Sequence, residues 1–199
     1  MAVPGSLAAR MPPMGTTLIV LLAVAGVLVV MLIALYNALV SIRNQCDEAW
    51  SNVDTELKRR YDLIPNLVST VKGYAEHERG LLEEVTQLRE QASGNHGTPA
   101  SQAADESLLS AALGKLMVRL EAYPDLKASQ NFLQLQEELG NTENRIQASL
   151  RFYNGNVREN NNRIEQFPSN IVANMFTFTK REFFELDVPE ARQAPQVAF

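Results

Sequence analysis

The chain is poor in the residues from which catalytic and metal centres are built. Its 199 residues include two histidines, one cysteine and one tryptophan. The single cysteine, Cys46, excludes an internal disulfide and fits a reducing compartment. His77 stands in Ala75-Glu-His-Glu78, but a helical metal pair needs ligands three or four residues apart on one face. Positions 73, 74, 80 and 81 are Gly, Tyr, Gly and Leu. His96 lies among loop residues with no second ligand near it. Gly114-Lys115 lacks the rest of a phosphate-binding loop, and no serine or cysteine occupies a nucleophile motif. These gaps predict a non-enzymatic protein with no catalytic residue, no metal and no cofactor. Runs of basic residues are also scarce. The 18 Lys and Arg are spread among 23 Asp and Glu for a net charge of −5, without the clustered footprint that nucleic-acid binding requires.

What the chain does have is one long apolar run. Leu18–Leu35 (LIVLLAVAGVLVVMLIAL) contains neither charge nor proline, and Thr16 and Thr17 extend it to twenty residues, enough to cross a bilayer core as a helix. It is longer than the core of a cleaved signal peptide, and no A-x-A site follows it, so a retained anchor is expected. Arg10 precedes the span; Arg43 follows it, with Lys58, Arg59 and Arg60 further on, which leans towards a cytoplasmic carboxyl side. The span contains no GxxxG, so any assembly should depend on the soluble helices.

The remainder reads as all-α. Residues 1–15, with three prolines and two glycines, are expected to be a flexible extracytoplasmic tail. The transmembrane helix is placed at 16–36, a helical-bundle domain at 37–187 and a disordered tail at 188–199. Apolar residues recur at steps mostly of three and four from Leu39 through Cys46, Trp50, Val53, Leu57, Tyr61, Ile64, Val68 and Val71. Glu56 and Arg60 have the spacing of a helix-face ion pair, and Lys58, Arg59, Arg60 and Asp62 read as a solvated face. Pro65 either ends this helix or kinks it. The apolar spacing passes through without a slip, which favours a kinked first helix continuing to the loop at Ser93–Pro99. A second helix is expected over Ser101–Tyr123, and a third from Pro124 to Phe167. The result is an elongated antiparallel bundle of three long helices, closed by a short C-terminal amphipathic segment.

Two features stand out near the C-terminus. Four of the eight phenylalanines, Phe176, Phe178, Phe183 and Phe184, fall within nine residues. They either complete the core at one end of the bundle or form an interaction surface. Five asparagines crowd residues 154–162, where a middling helix former needs a reason. They are either a solvated face, or Asn160, Asn161 and Asn66 make a buried polar network that fixes register or oligomeric state.

Dispersed motifs in a fixed order carry a family resemblance. They are Tyr36–Asn44 (YNALVSIRN), Glu48-Ala-Trp50, Asp54–Arg60, Asp62–Val68 (DLIPNLV), Val71–Tyr74, Glu121–Ala128 (EAYPDLKA), Asn131–Gln136, Glu143–Ile146, Tyr153-Asn154 and Phe167-Pro168. From Tyr36 to about Phe184 the chain resembles the LemA family, including its MamQ branch. That resemblance implies a bacterial inner-membrane protein with one span, its amino terminus outside and a helical bundle in the cytoplasm. In some members gene neighbourhood suggests an association with a membrane zinc metalloprotease, which is not a property of these residues. The function expected is a membrane-anchored scaffold or self-assembling module, with a homo-oligomer as its partner state. An accessory subunit of another envelope protein, such as a membrane protease, is the alternative.

Overall fold

The structure, a computed structural model, describes residues 14–185. The expected tail at 188–199 and residues 1–13 of the amino-terminal tail lie outside the described residues. Among those described, the fold is all-α, with no strand.

Helix α1, Met14–Lys72, is 59 residues long and contains Pro65 without interruption. Its first part is the apolar run, a segment long and apolar enough to cross a membrane, whose side chains are exposed except for Leu32 and Leu35, which are partly buried. Beyond Leu35 the same helix becomes the spine of the bundle, and Leu39, Ile42, Cys46, Ala49, Val53 and Leu57 face inward. Apolar residues all round suit lipid, and an apolar stripe suits a protein core, so one helix serves two solvents in succession.

α1 does not reach Ser93 as its periodicity predicts. The Tyr74 and Ala75 amides both donate to the Val71 carbonyl (2.9 and 3.0 Å), and a 3-10 turn over Glu76–Glu78 follows. Helix α2, Arg79–Gly94, then folds back along the end of α1, so that Arg89 on α2 meets Tyr61 on α1. Periodicity hid this turn because Val71, Ala75, Leu82 and Val85 keep helical spacing across it, and all four are buried. Helix α3, Pro99–Leu120, is capped by Thr98, whose hydroxyl accepts from the Ser101 amide at 3.3 Å, with Pro99 in the first turn. A single turn, α4 (Pro124–Lys127), separates it from α5, Gln130–Glu165. The expected third helix is therefore broken at Ala128–Ser129, and α5 passes through Gly140 intact.

α5 descends antiparallel to α1 in constant register. Arg145 meets Glu56, Asn156 meets the Gln45 carbonyl, and Arg163 meets the Ala38 carbonyl. The steps between these pairs are eleven and seven residues on both helices, close to three and two turns. Lengths match as well. The 37 residues of α1 after Leu35 (72 − 35) and the 36 of α5 each rise about 55 Å, so α5 returns the chain to the level where the apolar run ends.

After α5 the chain turns at Phe167-Pro168 into α6, Ser169–Met175. Val172 and Ala173 pack on Leu39 there, together with Leu32, Leu35, Ile164 and Phe178. α6 ends in a left-handed C-cap. The Phe178 amide bonds the Ala173 carbonyl at 2.9 Å, the Thr177 amide bonds the Asn174 carbonyl at 3.4 Å, and Thr177 has φ 58°. This cap reverses the chain, and residues 178–185 climb back along α1 and α5 as an extended strap.

Candidate functional site

The strap is held by a clamp of two asparagines. On α5, Asn161 donates to the Arg181 carbonyl (2.9 Å) and accepts from the Arg181 amide (2.8 Å). Two turns away, Asn154 does the same for Phe184, at 2.8 and 3.0 Å. A carboxamide carries the donor and acceptor of a peptide group, so each asparagine pairs the strap as a neighbouring strand would. The spacing fits. Seven helical residues rise about 10.5 Å, and three extended residues cover about 10 Å. Between the clamps the Tyr153 hydroxyl donates to the Glu182 carbonyl at 3.0 Å. Phe184 enters the core beside Trp50 (ring centroids 6.0 Å apart), and Arg181 pairs with Asp47 on α1 at 2.7 Å. Chemically this is sequence-tolerant recognition of an extended backbone, with one aromatic side chain fixing the register.

The residues singled out by sequence fall as follows. Phe184 is core, and Phe183 packs partly buried against that core. Phe178 lies half-buried under the Arg43 guanidinium and 5.8 Å from the Tyr36 ring, and Phe176 is exposed 4.8 Å from the same ring. The four phenylalanines thus line a path rather than one patch. Asn160 and Asn161 are brought together by a 3.1 Å hydrogen bond. Asn66 stands apart, exposed on α1 near the far end of the bundle. The strap contacts of Tyr153 and Asn154 escape sequence reasoning; their one signal is the Tyr153-Asn154 motif inside the asparagine-rich stretch.

A second polar constellation lies at the α1–α3–α5 junction; Lys58, Arg59 and Asp62 are exposed as a solvated face should be, but Arg60 is not. Arg60 is 3% exposed and Glu106 is 1% exposed. The Arg60 guanidinium bonds the Glu106 carboxylate, the Glu143 carboxylate (2.9 Å) and the Ser110 hydroxyl (3.2 Å). The Tyr61 hydroxyl donates to Glu106 as well, and the Gln102 amide lies 2.9 Å from Tyr61 Oη and 3.1 Å from Glu106 Oε1. Glu56 meets Arg59 and Arg145 instead of Arg60. The missed signal was a carboxylate in register with the buried stripe of α3, where Glu106 falls between Gln102–Ala103 and Leu109. Burial pushes the Tyr61 phenol up to about 12 despite the neighbouring guanidinium, and it lowers the Arg60 value against the pull of Glu143. A buried, hydrogen-bonded pair of this kind, which Glu143 reaches from the surface, specifies the register of the three helices. Among the described residues no group of three or more His, Cys, Asp or Glu could hold a metal. The Cys46 thiol is fully buried and its pKa raised by burial, which makes it a packing group.

These features define a class: an all-helical bundle grown directly on an apolar amino-terminal helix and tied off by its own carboxyl-terminal strap. The LemA family model matches residues 49–199, and the chain belongs to that family. It is 30% identical over 158 residues to Protein LemA of Metamycoplasma hominis, covering 76% of this chain and 72% of that protein. It is 25% identical over 174 residues to the magnetosome protein MamQ of Magnetospirillum gryphiswaldense, covering 75% of this chain and 64% of that one.

Proposed function

We propose that the protein is a single-pass inner-membrane scaffold, its amino terminus outside and its bundle in the cytoplasm, which acts by binding copies of itself and not by catalysis. The observation that carries this reading is the continuity of α1 from the apolar run into the bundle. A helix without a loop at the bilayer surface fixes the height and tilt of the domain. Anchored copies then present the same faces at the same level, and confinement to two dimensions raises their effective concentration, so weak lateral contacts suffice for assembly. Arg43 just after the span supports the cytoplasmic orientation.

Mass measurement of the complex released intact from its native membrane tests the proposal. Several copies of this chain alone are the expected result. A monomer at every concentration overturns it, and so does a fixed complex with one copy of a foreign envelope protein, which would make this chain an accessory subunit.

A further inference from the structure

The end of the bundle where α5 turns into α6 exposes four large apolar side chains close together in sequence. Phe167 is 79% exposed, Met175 60%, Ile171 54% and Phe176 46%. Ile171 and Met175 are one turn apart on α6, and the opposite side of that helix, Val172 and Ala173, is buried on α1. The position of this patch along α1 indicates what covers it. α6 packs at Leu39, and the same cluster reaches down to Leu35 and Leu32, inside the apolar run. Leu39 lies only about 6 Å beyond Leu35 along the helix, and Leu32 about 4.5 Å below it. The exposed side chains therefore stand at the depth where the span leaves the hydrocarbon. Tyr36, the first aromatic after the run and of a type enriched at the membrane–water interface, contacts both Phe176 and Phe178.

We infer that the elbow Phe167–Phe176 is a second membrane contact, an interfacial element whose Phe167, Ile171, Met175 and Phe176 side chains insert among the lipids around the span. The partner is a phospholipid surface met through apolar insertion, not through charge. The cations nearest the elbow are already engaged: Lys180 with Glu165, Arg163 with Glu159, Arg181 with Asp47 and Arg43 over the Phe178 ring. Insertion consequently needs neither anionic lipid nor low salt. It would hold the lower end of α5 to the bilayer independently of α1, fixing rotation of the bundle about the span axis as well as its tilt. This inference rests on the reading of Leu18–Leu35 as a membrane span.

Single-tryptophan variants of the full chain in phosphatidylcholine vesicles test it, with Trp50→Phe as the silent background. Val30→Trp reports the span, Ile171→Trp and Met175→Trp the elbow, and Phe152→Trp the exposed flank of α5. Brominated lipid should strongly quench the span and elbow reporters, leave the Phe152→Trp reporter at its unbrominated intensity, and act equally at high salt. The same substitutions with Trp50 retained, read as the increment in quenching, guard against damage from Trp50→Phe. If the elbow reporters are quenched no more than the flank reporter while Val30→Trp is quenched, the span stands and the elbow inference falls. An unquenched Val30→Trp removes the span and the inference with it. A blue-shifted but unquenched elbow signal means that protein covers the patch, which also overturns it.

Discussion

Arg89 of α2 donates its Nε–H to the Tyr61 carbonyl at 3.1 Å, and Tyr61 lies four residues before Pro65. In an unbroken helix that carbonyl would accept from the amide at position 65, which proline lacks. The guanidinium thus supplies the hydrogen bond that the helix loses, and it comes from the helix that folds back over the proline. A double-mutant cycle reads this coupling. Arg89→Met should cost about 1 kcal/mol in denaturant unfolding, because it leaves a part-buried acceptor without its partner. In a Pro65→Ala background, where the substitution restores a backbone N–H to serve the carbonyl, the cost should shrink to a few tenths. Equal costs in both backgrounds would show that the bond is incidental.

The same pair shows why part of the fold was legible in sequence and part was not. Helix periodicity encodes which face is buried, so the continuity of α1 through Pro65 could be read from Ile64, Leu67 and Val68. It does not encode direction. The reversal at Gly73–Glu78 preserves the apolar spacing, and only a partner such as Arg89 reveals that the second segment runs backward. The candidate site was legible as composition alone. An excess of asparagine at the end of α5 marks unusual backbone chemistry, but which asparagine meets which peptide depends on a strap whose return path is set by the α6 cap. The burial of Arg60 was hidden because its partners, Glu106 and Glu143, lie 46 and 83 residues away.

Arg60 and Glu106 should behave as a buried pair. Removing Arg60 leaves Glu106 buried without a countercharge, so Arg60→Met should cost about 3–5 kcal/mol, whereas Glu106→Leu, which leaves Arg60 paired with Glu143, should cost less. The double replacement should recover much of that loss, because it removes both desolvation penalties, although Glu143 and Tyr61 then lose a partner. Urea unfolding of the three variants measures the coupling, and additive single costs would contradict it.

The asparagine clamps predict a local opening. Asn161→Ala should expose the Arg181 amide and Asn154→Ala the Phe184 amide, each costing about 1–2 kcal/mol of strap protection. Hydrogen exchange should accelerate at those amides while the α1 core amides near Val53 exchange as before. Exchange spread over the whole bundle would mean that the strap is part of the global folding unit.

Thr177 occupies the position after α6 that usually carries glycine. A β-branched residue at φ 58° is sterically strained, by roughly 1–2 kcal/mol for a left-handed conformation. Thr177→Gly relieves that strain but loosens the unfolded chain by about 0.4–1 kcal/mol. A net stabilisation of up to about 1 kcal/mol is expected in thermal unfolding, and a lower melting temperature would refute the strain argument.

Alkaline pH gives the last test. Tyr61 and Tyr153 are both raised to about 12, burial being the largest cause in each case. A tyrosine whose folded value lies above its ordinary value of about 10 keeps its proton in the folded state after the unfolded chain has lost it. Its contribution is complete below about pH 10 and declines as pH rises to about 12, at up to about 1.4 kcal/mol per pH unit for each group. The melting temperature of the wild-type chain should therefore fall across that window. Tyr61→Phe should start lower at neutral pH, having lost the hydrogen bond to Glu106, yet fall less steeply above pH 10. Lysine titration in the same window is common to both proteins, so the difference between their slopes isolates the phenol. Parallel slopes would show that the Tyr61 hydroxyl already reaches solvent, and that the polar junction between α1 and α3 is open.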